Sequence, residues 1–197
     1  MATTDLYRLA SMSSWAALVA LVLSGIALAL FFGGAGEFWG PVNDALIVIT
    51  AIALLPVVAA AVRMAGDRGS PWVTLVSVIA VVGLILIAVG QTLLIVGRLS
   101  LDGSYVTGGL GVTPVIAWIV LVAILALGLG VLPSLTGWLA VLTLVAIVVF
   151  SVTAAITLGP VLWVEAVALV AVTSLWLGSL ATTFADGASI ARAAATA

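Results

Sequence analysis

The chain has 197 residues, of which 65% are hydrophobic and only 6% are charged, and its net charge is −2. A soluble domain carries roughly 25% charged residues, so this chain lacks the polar residues that coat a water-soluble surface. The composition predicts an integral membrane protein, and five arginines without any basic run exclude a nucleic-acid surface.

The residue types that are missing exclude several chemistries. The sequence contains no Cys and no His, which excludes a thiolate nucleophile, a disulfide, an imidazole base, a His-ligated haem and the usual zinc sites. It also contains no Lys, which excludes a Schiff base. We therefore expect no metal ion and no cofactor.

Six apolar windows recur along the chain, each of about 20 residues, the length that crosses ~30 Å of hydrocarbon. They predict one transmembrane domain over residues 1–197, an all-α bundle of six transmembrane helices. The predicted spans are 13–32, 41–64, 72–98, 114–132, 135–158 and 160–184. Proline is tolerated in a first helical turn but not in a helix interior, so five prolines mark the starts of helices two to six: Pro41, Pro71, Pro114, Pro133 and Pro160. Pro56 predicts a kink in the second span.

Arginine and tryptophan predict the orientation. Positively charged residues favour the cytoplasmic side, which puts both termini in the cytoplasm, with Arg8, Arg63, Arg68 and Arg192 inside and Arg98 outside. Tryptophan favours both interfaces. Six residues fit this rule, with Trp15, Trp72 and Trp138 inside and Trp39, Trp118 and Trp163 outside. Trp176 lies deeper, as a packed or lipid-facing ring or as a pocket wall.

Small residues on single helix faces predict close helix contacts, because they let backbones approach in lipid. Gly83, Gly90 and Gly97 recur on helix three, which we expect to be central. Other stripes are Ala16, Ala20 and Ser24 on helix one and Ala171, Ser174, Gly178 and Ala181 on helix six. Such seams serve contacts within one bundle, within a homo-oligomer or with a partner membrane subunit.

The polar residues concentrate in the predicted outer half of the membrane or just beyond it, and the inner half is almost purely apolar. Ionisable groups at membrane depth usually face a cavity or a partner. These residues are Glu37, Asn43, Asp44, Gln91, Arg98, Asp102, Tyr105 and Glu165.

Each group also has a purely structural interpretation. Asn43 and Asp44 suit the first turn of a helix that starts at Pro41. Arg98 suits a side chain that reaches the outer headgroups, and Gln91 suits a hydrogen bond between helices. Glu165 is the hardest to explain in this way. It lies five residues past Pro160, where the dipole of the helix start compensates the charge of a carboxylate less.

The functional hypothesis joins these groups in one outward-opening pocket. Asp44 and Glu165 would supply acidic groups, Arg98 a counter-charge, and Asn43 and Gln91 hydrogen bonds. The apolar rim would consist of Trp39, Trp118 and Trp163. Residues 99–112, predicted as the longest loop, would cover the pocket. Such a site suits a small amphipathic or cationic ligand, or a lipid headgroup.

The segments "GPVNDALIVITAIALLP", "GQTLLIVGRL" and "SLWLGSLA" resemble those of uncharacterised six-helix prokaryotic membrane proteins, grouped as a domain of unknown function. The resemblance implies the fold and the plasma membrane of a prokaryote, and it brings no activity or site residues. The acidic, lysine-free and Ala- and Val-rich composition is similar to that of halophilic archaea or high-GC bacteria.

Three functions remain open at this point. The first is binding, sensing or transport-associated recognition of a ligand in the polar pocket. The second is a structural or accessory subunit of a membrane complex. The third is an intramembrane enzyme in which Glu165 or Asp44 transfers a proton to an isoprenoid or lipid substrate. The apolar inner half argues against a proton path, which needs polar groups along its whole length.

Overall fold

Most of the described chain is helical. The structure, a computed structural model, describes residues 2–66, 70–156 and 161–196, without the side chains of Leu101, Tyr105, Ala195 and Thr196. The helices in these ranges are α1 (Thr3–Phe32), α2 (Trp39–Ala65), α3 (Pro71–Ile95), α4 (Leu101–Leu127), α5 (Ser134–Ile156) and α6 (Val161–Thr196). All six are long and apolar enough to cross a membrane. The predicted six-helix membrane bundle is confirmed.

The helices form a ring in chain order. Each packs against the helix before and after it, and α6 closes the ring against α1. Tyr7 of α1 stacks on Phe184 of α6, with ring centroids 6.3 Å apart, so both chain ends lie at one end of the bundle. We call this the terminal end, and we call the opposite end, where residues 33–38 and 96–100 connect helices, the distal end. The expectation that helix three is central is wrong, because α3 packs mainly between α2 and α4.

Large apolar side chains fill the middle of the ring and its terminal half. Trp118 of α4 and Trp176 of α6 meet edge to face, with ring centroids 5.8 Å apart, and they are only 1% and 2% exposed. Trp176 is therefore a packed aromatic. The prediction that Trp118 lies at the outer interface is wrong, because α4 begins thirteen residues before the predicted start of 114 and so carries Trp118 into the core.

The predicted loop over residues 99–112 is also wrong, because α4 begins at Leu101 and continues through Pro114. Ser100 caps its first turn: the Ser100 side chain accepts a hydrogen bond from the backbone N–H of Gly103 at 3.2 Å. The glycines of this segment are typical of a loop in sequence, but here they lie in a helix, and Gly111 packs closely against Gly83 and Ile87 of α3. The distal end therefore has no long covering loop at this point.

The contact between α3 and α4 is a seam of glycines. A Cβ atom on Gly83 would lie 2.5 Å from the backbone oxygen of Gly111, and one on Gly90 would lie 2.7 Å from Oγ1 of Thr107. Gly97, the third member of the predicted stripe, lies beyond the end of α3 with a φ of +69°, a conformation that favours glycine. The seam holds the distal ends of α3 and α4 close together.

The prediction that proline marks a helix start is confirmed for α3 but not for α2. α3 begins at Pro71 as predicted, whereas α2 begins at Trp39, two residues before Pro41, and runs without a break through Pro56. Pro160 and Arg68 lie outside the described residues.

Candidate ligand-binding site

A cavity of about 590 Å³ lies at the distal end, between α1, α2, α3 and α4. Small-molecule sites have volumes of roughly 300–1,000 Å³ with a few polar groups on mostly apolar walls, and this cavity has that character. We call it the distal cavity. Its described lining residues are Leu28, Phe31, Phe32, Gly40, Pro41, Asn43, Asp44, Ile47, Gln91, Leu94, Ile95, Ser104, Gly108 and Gly109.

Asn43 and Asp44 are positioned by a short chain of hydrogen bonds. The hydroxyl of Ser24 on α1 donates to Oδ1 of Asn43 at 2.6 Å, and Nδ2 of Asn43 donates to Oδ1 of Asp44 at 3.3 Å. Asn43 is buried, whereas Asp44 is half-buried on the cavity wall. The Ser24 contact therefore fixes the amide, and the amide in turn orients the carboxylate.

The helix-start interpretation of Asn43 and Asp44 is wrong. α2 begins at Trp39, so the free backbone N–H groups of its first turn belong to residues 39–42. Asn43 and Asp44 lie in the second turn, and no side chain caps this helix with a hydrogen bond. Ser24 donates to Asn43, and Asn43 donates to Asp44. The Asp44 carboxylate therefore borders the cavity and does not serve the start of the helix.

Gln91 is the least satisfied polar group on the cavity wall. Its Oε1 atom is buried and has no hydrogen-bond partner among the described residues. Leaving a buried polar atom without a partner costs about 1–3 kcal/mol. The close contact of Gly90 with Thr107 sets this part of α3 against α4, whose Ser104 lines the same cavity. A ligand that donates a hydrogen bond would satisfy the Gln91 oxygen.

The cavity has acidic but not basic character. Asp44 is the one charged side chain in its described lining. Arg98 is exposed in the connection between α3 and α4 and is not among the lining residues, so the predicted counter-charge is absent from the described wall. The wall offers an anionic carboxylate and amide oxygens, which are acceptors for a cation or for a hydrogen-bond donor.

The aromatic wall differs from the predicted one. Phe31 and Phe32, which sequence reasoning missed, supply the rings, and they meet edge to face at 5.1 Å between centroids. Of the predicted rim, neither Trp39, Trp118 nor Trp163 is among the described lining residues. Trp163 packs edge to face against Phe32, with ring centroids 5.7 Å apart. Their position at the end of the first predicted span, 13–32, was the sequence feature that could have placed Phe31 and Phe32 near the pocket.

Trp163 lines a separate apolar groove of about 430 Å³ between α1 and α6. A Cβ atom on Gly25 would lie 3.3 Å from Cγ2 of Val170, so the groove follows a tight helix contact. Its described walls are almost wholly apolar, with Ser174 as the one polar side chain. The groove has the character of a lipid-contacting surface.

Glu165 lies apart from the other predicted site residues. It is half-buried on α6, and its Oε1 accepts a hydrogen bond from Thr153 of α5 at 3.0 Å. Its Oε2 atom is buried without a partner among the described residues. Glu165 is not in the described lining of the distal cavity, so the structure does not join it to Asp44 in one site.

The described residues include no group of three or more acidic side chains that could hold a metal ion. The described wall of the distal cavity offers one carboxylate, two amides and a hydroxyl, a set of groups suited to binding a ligand through hydrogen bonds.

Comparisons with protein-family models, with curated proteins and with solved structures gave no match.

Proposed function

We propose that this chain is a multi-pass membrane protein that binds a small amphipathic molecule in the distal cavity. The head of the ligand is cationic or otherwise rich in hydrogen-bond donors, and it lies against Asp44 and Gln91. Its apolar body packs on Phe31 and Phe32. The protein then acts in binding, sensing or transport-associated recognition.

The buried, unpartnered Oε1 of Gln91 carries this proposal. An amide used only to join two helices would have its hydrogen bond within the bundle. Gln91 has no such bond among the described residues, and it shares a cavity wall with the one lining carboxylate, Asp44. Both features favour a site that is completed by a bound molecule.

The apolar core favours binding over conduction. Trp118, Trp176 and Phe184 are buried toward the terminal end of the ring, and a conducting path needs polar groups along its whole length. The described bundle thus supports a site that opens at one end only.

We further propose that the distal cavity opens to the outside of a prokaryotic plasma membrane. Arg8, Arg63 and Arg192 belong to the terminal half of the bundle, whereas Arg98 lies at the distal end. Positively charged residues favour the cytoplasmic side, which supports cytoplasmic termini. A ligand would then reach the cavity from outside or from the outer leaflet.

Gln91→Leu should have two effects: it should stabilise the protein without ligand, and it should weaken ligand binding. Removing an unpartnered buried polar atom should raise the free energy of unfolding by about 1 kcal/mol, which corresponds to a Tm increase of roughly 2–4 °C. The probe is radiolabelled decylammonium, a cationic amphipath, bound to protein in lipid nanodiscs. We expect its affinity to fall about tenfold, as for loss of one hydrogen bond to a charged group.

Thr92→Val is the matched control on the next residue of α3. Thr92 is exposed, and its hydroxyl donates to the backbone oxygen of Ala88, so this change should leave decylammonium binding unaltered. A lower Tm for Gln91→Leu with unchanged probe affinity would instead assign Gln91 a structural role and contradict the proposal.

A further inference from the structure

A second cavity, of about 280 Å³, lies at the terminal end between α1 and α6, opposite the distal cavity. Arg8 and Arg192 both line it, one from each helix, together with Ser11. The small residues of its α6 wall are Ala185, Ala188 and Ser189. We call it the basic cavity. Two guanidinium groups from different helices therefore border one space.

Packing beside this cavity fixes the two helices relative to each other. Tyr7 stacks on Phe184, and a Cβ atom on Gly187 would lie 2.8 Å from Cε of Met64 and 3.3 Å from Cδ2 of Tyr7. α1 and α6 are therefore held in close contact one residue away from Arg8. The basic cavity is a feature of the folded bundle.

No acidic side chain is among the described lining residues of the basic cavity. Arg8 makes no hydrogen bond or ion pair with any residue that the structure describes, and the acids nearest in sequence, Asp5 and Asp186, are not among the described lining residues. By contrast Arg63, at the same end of the bundle, lies 3.4 Å from the hydroxyl of Thr3 and does not line the cavity. The wall suits an oxyanion such as a phosphate group.

The position of the basic cavity along α1 favours the phosphate of a lipid over a soluble phosphate ion. Arg8 lies two helical turns, about 10 Å, before Trp15, and exposed Trp residues mark the edge of the hydrocarbon. Met12 and Trp15 follow Arg8 on the same helix face, and they are 67% and 49% exposed. A phosphate at Arg8 would place attached acyl chains along this apolar face.

We propose that the basic cavity binds the phosphate of an anionic membrane lipid. Arg8 and Arg192 contact the phosphate oxygens, the Ser11 hydroxyl donates to them, and the acyl chains run over Met12 and Trp15. Basic pockets between transmembrane helices are a known type of lipid headgroup site. The bound lipid would bridge α1 and α6 where the helix ring closes.

Native mass spectrometry of the full chain, released from detergent with added phosphatidylglycerol or phosphatidylcholine, tests this site. We expect the wild-type protein to retain phosphatidylglycerol preferentially. Arg8→Gln and Arg192→Gln should each lower the ratio of lipid-bound to free protein about fivefold, the effect of one basic residue at an anionic surface. Arg63→Gln removes the same charge at the same end outside the cavity, and Arg98→Gln removes it at the distal end. Each control should change the ratio less than twofold.

Three results would overturn the proposal. One is an equal loss of phosphatidylglycerol in Arg8→Gln and Arg63→Gln, which would indicate diffuse attraction to the whole terminal end. Another is equal retention of phosphatidylcholine and phosphatidylglycerol. The third is displacement of phosphatidylglycerol by millimolar inorganic phosphate, which would assign the site to a soluble anion. Unchanged elution in size-exclusion chromatography shows that each variant is folded.

Discussion

Asp44→Asn should weaken the binding of decylammonium by at least tenfold. The carboxylate is half-buried in the distal cavity and is oriented by Asn43, so we expect it to contact the ammonium head of the probe in a partly desolvated space. A hydrogen bond to a charged group contributes about 1.5–3 kcal/mol, which is tenfold or more in affinity. Asparagine keeps the size of the side chain and an oxygen acceptor for Asn43. Saturable binding in nanodiscs, corrected for empty nanodiscs, measures the change.

Two other acidic residues provide controls for this experiment. Glu37 and Asp102 lie at the same end of the bundle and are exposed, and neither is in the described lining of the cavity. Glu37→Gln and Asp102→Asn should therefore bind decylammonium as the wild type does. Decanol, which lacks the positive charge, should bind wild type and Asp44→Asn about equally. An equal loss in all three acidic variants would mean that the probe responds to surface charge and not to the cavity.

Gly83→Ala should strongly destabilise the protein. Its Cβ would lie 2.5 Å from the backbone oxygen of Gly111 and 2.8 Å from Cβ of Pro114, and a backbone atom on the partner helix cannot turn away as a flexible side chain can. Overpacking of this kind costs about 1–3 kcal/mol, so Tm should fall by roughly 2–12 °C. Thermal unfolding in detergent, followed by circular dichroism, measures it.

Gly109→Ala is the matched change on the facing helix. Gly109 is exposed on α4, and a Cβ there would meet nothing within 4 Å, so the substitution should keep or slightly raise Tm, as expected from the higher helix propensity of Ala. If Gly83→Ala proved as stable as Gly109→Ala, the close α3–α4 contact that sets Gln91 against α4 would be contradicted.

Hydropathy located the membrane-crossing parts of the helices and missed their extensions. The first span was predicted to end at residue 32, where α1 does end, but α1 begins at Thr3 and α6 reaches Thr196. A hydropathy window responds to the apolar stretch inside the bilayer, whereas a helix continues into water where polar residues also favour it. The glycines of residues 99–112 concealed the start of α4 at Leu101, and with it Ser104 as a cavity residue.

The sequence predicted that several polar residues lie near one another, but not which of their side chains line one cavity. Asn43, Asp44 and Gln91 were proposed for one pocket because they lie at one depth, and they do line one cavity. Arg98 and Glu165 were proposed for the same pocket, but Arg98 is exposed and Glu165 accepts a hydrogen bond from Thr153. Depth follows from position along a helix, whereas direction depends on how six helices are rotated in a ring, which only tertiary packing determines.

The fold accounts for the position of the distal cavity. Alanines and glycines draw the helices together: Ala17 and Ala60 are fully buried, and Gly83 meets Gly111 on α4. Toward the distal end a space remains between four helices, lined by aliphatic and aromatic side chains, glycines and a few polar groups. Close packing in one part of the ring and an open end in another produce a cavity at the distal end of the bundle.

Photolabelling tests most directly whether the distal cavity is a ligand-binding site. A decylammonium analogue with a diazirine on its alkyl chain is irradiated with the protein in nanodiscs, and the modified peptides are identified by mass spectrometry. We expect labelling at residues 28–32, 40–47, 91–95 and 104–109, suppressed by excess decylammonium and strongly reduced in Asp44→Asn. Labelling confined to the lipid-contacting faces of α5 and α6, or labelling that excess decylammonium does not suppress, would contradict a binding site in the distal cavity.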